Sequence, residues 1–202
     1  MSRPAPQPVG QTFLSARKAL SESRGASARR PTHAPLSIDV SARTGKAQVP
    51  YLRRNLRRAH AILRPPLREL SLALVGNARM ADLHAQFMNV TGPTDVLTFE
   101  LDHDARGRVT AGEVVVCVPH ALREAARRGV PPRDELLLYA LHGMLHLCGY
   151  DDLTDRDFAK MHEREDQILN ELGVGAVFSV MPTEVGTPAG RRRAGRGLGA
   201  RA

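Results

Sequence analysis

Cysteine is nearly missing from this chain: Cys117 and Cys148 are the only two among 202 residues. Two thiols make no disulfide framework, which excludes the stapled secreted class and fits a reduced, cytoplasmic protein. No apolar run approaches the ~18 residues of a membrane span, and no signal-peptide core is present, so neither insertion nor export is expected. Acids are scarce at both ends. Of the 29 Lys and Arg, 11 lie in 1–35 and 181–202, against 2 of the 21 Asp and Glu, so 36–180 carries 18 bases and 19 acids. The net charge of +8 therefore belongs to the tails. Both tails lack apolar periodicity. Residues 1–35, rich in Arg, Pro and Ser, and the Gly/Arg-rich 177–202 are expected to be disordered. The N-terminal stretch is Arg-rich and acid-poor, as organelle transit peptides are, but Pro4, Pro6 and Pro8 interrupt any amphipathic helix there. No repeat is present.

What remains, residues 36–176, reads as one domain. Leu36–Val40 alternates as a short strand does. Pro50 to Leu63 follows as a helix with Leu52, Leu56, Ala59 and Leu63 on one face, ended by Pro65-Pro66. Acids are missing from Val40 to Arg68, and Arg53, Arg54, Arg57 and Arg58 occupy the helix's other faces. Such a run is either a solvated face or a stripe that tracks an RNA backbone. Glu69–Val75 is a strand, 78–88 a helix that carries Arg79, and Val96–Leu101 and Gly112–Val118 two further strands joined by a hairpin. His120–Arg128 is a short helix, and Thr154 to Asp157 caps a last one that Gly173 ends.

Between these two helices lies ELLLYALHGMLHLCGYDD, Glu135 to Asp152. Its first fourteen residues leave no polar face apart from His142 and His146, so the helix they form is buried on nearly all sides. At i and i+4 the two imidazoles share a face, about 5–6 Å apart at Cβ. Gly149 offers a left-handed stop, after which the chain presents Asp151 and Asp152. Two imidazoles one turn apart, with a third ligand returned by a glycine turn, can hold one Zn²⁺ and leave a position for water. The spacing matches that of the long zinc-protease motif, but the general-base glutamate of that motif is Gly143 here, which argues against peptidase chemistry. Cys148 points away from the histidine face and reads as core.

HGMLHLCGYDD resembles the signature of the YbeY family of bacterial rRNA maturation endoribonucleases. Pro93-Thr94-Asp95-Val96-Leu97-Thr98-Phe99 and Gly112-Glu113-Val114-Val115-Val116 are similar to two of its strands, in the same order. The resemblance implies an α+β fold: a single compact domain, a small mixed four-stranded sheet packed with about five helices, and a buried central metal-site helix. It also implies a zinc-dependent, single-strand-specific endoribonuclease that acts on rRNA of the small ribosomal subunit, at the 3′ end of 16S rRNA and in ribosome quality control. One Zn²⁺ is then held by His142, His146 and Asp152, the last where the family has a histidine. His142, His146 and Asp151 are the catalytic candidates, with Asp151 orienting a metal imidazole. Arg53, Arg54, Arg57, Arg58 and Arg79 are the candidates for RNA phosphate, because the family's arginine five residues before the Pro-Thr-Asp is Met88 here. Two other readings stay open. One is a hydrolase of another substrate; the other is a non-catalytic ribosome-assembly factor whose zinc is structural.

Overall fold

The computed structural model describes residues 35–175 and Val177. Apart from Pro35 and Val177, the two expected tails lie outside the described residues. Four strands and five α-helices follow one another as β1 (Ser37–Ala42), α1 (Val49–Leu63), β2 (Glu69–Val75), α2 (Asn77–Met88), β3 (Val96–His103), β4 (Val109–Cys117), α3 (Val118–Arg128), α4 (Pro132–Leu147) and α5 (Asp155–Leu172). The sheet order is β1-β2-β4-β3. β1, β2 and β4 run parallel, and β3 closes one edge antiparallel to β4. The expected α+β fold with a small mixed sheet and five helices is the observed one.

Alternation along the two central strands sorts side chains between two cores. Leu70, Leu72 and Leu74 of β2 and Val114 and Val116 of β4 face α1, α4 and α5 in the larger cluster. Their neighbours Ala73, Val75, Val115 and Cys117 face Met80 and Leu83 of α2. Successive residues of a strand point to opposite faces, so strands covered on both sides read as near-continuous apolar runs.

Helix α4 is the centre of the larger core. Pro132 starts it with the fixed backbone angle that suits a first helical position, and Asp134 and Glu135 sit where the positive end of the helix favours acids. From Leu136 to Leu147 every residue is buried except His142 and His146. Two glycines let this helix approach the sheet. A Cβ on Gly143 would lie 2.6 Å from Cγ1 of Val114, and one on Gly112 2.5 Å from the methyls of Leu147. The helix ends at Gly149, whose φ of 88° is in the left-handed region. There the amide of Tyr150 donates to the Leu145 carbonyl, and the reversal sends residues 150–152 back toward the last helical turn. Thr154 then caps α5, its hydroxyl oxygen accepting from the amide of Asp157.

Candidate metal centre

His142 and His146 leave α4 on the one face that the core does not cover, and the Gly149 turn brings Asp152 opposite them. The two Nε2 atoms are 3.2 Å apart, and the Asp152 carboxylate oxygens lie 3.7 Å from Nε2 of His142 and 4.0 Å from Nε2 of His146. Four ligands around zinc at about 2.0–2.2 Å stand about 3.3–3.6 Å from one another, so the three groups are within a few tenths of an ångström of a ligand triangle.

The hydrogen bonds fix which ring atoms carry protons. Nδ1 of His142 is 2.7 Å from Oε1 of Glu165, and Nδ1 of His146 is 3.1 Å from the Tyr150 carbonyl. A carbonyl only accepts. Glu165 is ionised: burial alone would raise its pKa, but the hydrogen bonds from His142 and His162 outweigh that and hold it below the usual carboxylate value. Both Nδ1 atoms therefore donate, which leaves an Nε2 lone pair on each neutral ring. Two lone pairs 3.2 Å apart repel unless a proton or a cation lies between them. Burial works against a charged His142, yet the hydrogen bond and charge of Glu165, with Asp152 and Asp95, raise its pKa. The site thus attracts positive charge and offers two imidazole nitrogens and a carboxylate, a donor set suited to zinc.

Among the described residues no fourth His, Cys, Asp or Glu joins this group, so a four-coordinate cation held by it would keep one position for water. His142, His162 and Glu165 form a second close group. Its contacts of 2.7 and 2.6 Å are shorter than any ligand–ligand edge, and the imidazole atoms in them are donors. They are hydrogen bonds. Cys148 belongs to neither group, and burial pushes its thiol up to about 12.

The triad opens into a cavity of about 810 Å³ whose wall includes Asp95, Glu100, Asp151, His162, Phe158 and Met88. Among the described residues no Lys or Arg lines it. Asp151, the candidate for orienting a metal imidazole, lines this cavity, and no hydrogen bond between it and either imidazole is seen among the described residues. Its Oδ1 accepts from the Asp152 amide at 2.8 Å, bracing the loop, while Glu165 and the Tyr150 carbonyl hold the two imidazoles.

None of the five candidate arginines reaches this cavity. Arg54 and Arg58 line a separate cleft of about 280 Å³, where Arg58 donates to the Leu172 carbonyl at 3.0 Å and Arg54 stacks over the Tyr51 ring. Arg53 is half-buried and Arg57 exposed on the same helix, and Arg79 is half-buried near the start of α2. Sequence reasoning missed Glu165 and His162 altogether, and it quoted Asp95 without giving it a place in the site. One signal was available: Glu165 interrupts the apolar stripe Met161, Ile168, Leu169 and Leu172 of α5.

A mixed α+β domain that gathers two imidazoles and a carboxylate at a cavity wall has a donor set that could hold a metal ion, as metal-dependent hydrolases do. A family model described as Endoribonuclease YbeY matches residues 42–173. Endoribonuclease YbeY of Thermobifida fusca is 41% identical over 143 residues, covering 66% of this chain and 92% of the relative. That of Micrococcus luteus is 40% identical over 110 residues, covering 52% and 70%. The solution structure of TM1509 from Thermotoga maritima matches with a TM-score of 0.48 at 26% identity, over 68% of this chain and 91% of that one. The chain belongs to the YbeY family of endoribonucleases, enzymes that hydrolyse RNA.

Proposed function

We propose that this protein is a zinc-dependent, single-strand-specific endoribonuclease of ribosome biogenesis, cytoplasmic, with rRNA of the small subunit as substrate and the 3′ end of 16S rRNA as its place of action. Family membership supports RNA cleavage in rRNA processing. The observation that carries the metal reading is the convergence of two Nε2 atoms and the Asp152 carboxylate on one point at a cavity wall. Among the described residues no helix is long and apolar enough to cross a membrane, in keeping with an RNA substrate in aqueous surroundings.

When bound, Zn²⁺ supplies Lewis acidity toward a phosphodiester oxygen and lowers the pKa of the attacking water. It would be held by Nε2 of His142, Nε2 of His146 and the Asp152 carboxylate. Glu165 keeps the proton of His142 on Nδ1, and the Tyr150 carbonyl does so for His146. Asp95, Glu100, Asp151 and Asp152 line the cavity and, among the described residues, no Lys or Arg does, so these acids oppose a phosphodiester unless a cation offsets them. RNA binding at this cavity should therefore depend on the metal.

The deciding assay is cleavage of a single-stranded rRNA precursor by wild type and His146→Ala, each checked for zinc. Cleavage that survives in a zinc-free variant would sink the proposal. A structural-zinc assembly factor is the rival; the three-ligand group, with no fourth ligand among the described residues, counts against it.

Two further outcomes are expected. Asp152→His should keep zinc and Asp152→Ala should lower its affinity, read by competition with a metal-binding dye. Equal affinity in wild type and the Ala variant would remove Asp152 from the ligand set. If α1 also tracks RNA, neutralising Arg53, Arg54, Arg57 and Arg58 should flatten the salt dependence of RNA binding, by about 0.7 in log–log slope for each phosphate that is no longer neutralised. An unchanged slope would leave these arginines to their protein neighbours.

A further inference from the structure

The site's most buried polar group is not a ligand. Glu165 stands on α5, its side chain wholly inaccessible, and both carboxylate oxygens are taken: Oε1 by Nδ1 of His142 at 2.7 Å and Oε2 by Nδ1 of His162 at 2.6 Å. A carboxylate placed in an apolar stripe is costly unless its partners recover the desolvation, and here both partners stand at one edge of the metal cavity. The two rings stack with centroids 6.0 Å apart, so one acid holds two imidazoles side by side. His162 in turn meets the half-exposed ring of Phe158 edge-on at 4.1 Å.

We propose that Glu165 is the positioning residue of the metal centre: its carboxylate fixes the tautomer and the rotation of His142, so that the Nε2 lone pair faces His146 and Asp152 before any cation arrives. This rests on the metal reading above. The argument is one of geometry. His142 can turn about its Cβ–Cγ bond, which would exchange Nδ1 for carbon at the position facing Glu165; a short charge-assisted hydrogen bond holds the ring against that rotation. Because Glu165 comes from α5 while His142 comes from α4, the orientation of His142 is set only when these two helices are packed together. His162 shares the carboxylate and sets its angle from the other side, but it does not hold His142 directly.

Glu165→Gln tests the assignment. The amide keeps the shape but not the charge, so even where its oxygen stays on Nδ1 of His142 the hydrogen bond is no longer charge-assisted, and its NH2 meets the other N–H donor. Zn²⁺ dissociation constants would be measured by dye competition on the full chain, alongside melting of the zinc-free proteins. Expected is a 10–100-fold weaker zinc affinity in Glu165→Gln, with the cobalt-substituted visible spectrum altered as the ring reorients. Glu165→Asp, which retracts the carboxylate by one methylene while keeping its charge, should also weaken zinc, and it stands in for the Gln variant should that one not fold. His162→Phe removes the second donor but leaves Glu165 and its hydrogen bond to His142 in place, so it should weaken zinc less than either Glu165 variant does. Wild-type affinity in the Gln variant, or in the Asp variant if only that one folds, overturns the inference. So does a loss in His162→Phe as large as that in the Glu165 variants, since the effect would then be one of general packing. If wild type itself takes up no zinc, the metal reading has failed and not the assignment of Glu165.

Discussion

Replacing both His142 and His146 by Ala should empty the metal centre: metal analysis should give about one zinc per wild-type chain and less than about 0.1 per variant. The single variants should separate metal binding from stability. His146 is partly exposed and its Nδ1 donates to a backbone carbonyl, so His146→Ala removes a ligand at small cost to the fold. His142 is different. Its Nδ1 is one of two donors to a carboxylate with no accessible surface, and deleting it leaves Oε1 of Glu165 buried with a donor gone. That asymmetry should cost about 1–3 kcal/mol beyond the His146 variant. For a domain of this size the melting temperature of the zinc-free protein should fall about 3–5 °C for each kcal/mol. Full zinc in the double variant would end the metal assignment. Equal melting of the two single variants would show that Glu165 does not depend on His142.

The convergence of His142, His146 and Asp152 was legible because it is local. His142, His146, Gly149 and Asp152 lie within eleven residues, and helix pitch with one left-handed glycine is enough to bring their side chains together. The strands were legible too, since β2 and β4 are short, β-branched or leucine-rich runs with turn signals on either side. The start of α4 was set late, at Glu135, because its first turn is polar. The fold begins it at Pro132, where a proline and two acids are what a helix N-terminus favours. Glu165 was not legible as a partner of His142. The hydrogen bond joins two helices across 23 residues of sequence, and only the helix packing decides which residue of α5 meets the metal face of α4. The arginine stripe shows the opposite limit. Its charge was plain in the sequence, but its direction depends on how α1 docks, and Arg54 and Arg58 face a cleft beside the end of α5 instead of the metal cavity. Lack of acid in a segment therefore marked a surface without saying which one.

Gly143→Glu would put a carboxylate where zinc proteases carry their general base, and the expected result is a protein that does not fold. The position faces the sheet. A Cβ there would lie 2.6 and 2.9 Å from the two methyls of Val114 and 3.0 Å from Oγ1 of Thr98. Both methyls of a β-branched residue are involved, so rotating Val114 exchanges one clash for the other. A glutamate adds to this overlap an unpaired buried charge, which costs several kcal/mol even after relaxation, a large part of the about 5–15 kcal/mol that holds a domain together. Gly143→Ala isolates the steric part. Overpacking of about 1–3 kcal/mol is partly offset by the roughly 1 kcal/mol that Ala gains over Gly within a helix, so a small net loss in melting temperature is expected. Because the helix must lift away from β4 to admit the methyl, His142 and His146 on either side of it move as well, and zinc affinity should fall with stability. Val114→Ala opens the space that the new Cβ needs. The Gly143→Ala, Val114→Ala pair should therefore lose less than the sum of its parts, with a coupling of about 0.5–3 kcal/mol in thermal or denaturant unfolding. Strict additivity would mean that the glycine is not there for the close approach of α4 to the sheet. The absence of a protease base at 143 would then be a matter of chemistry alone. With the coupling present, the same packing that seats the metal helix on the sheet also shuts out the peptidase reading.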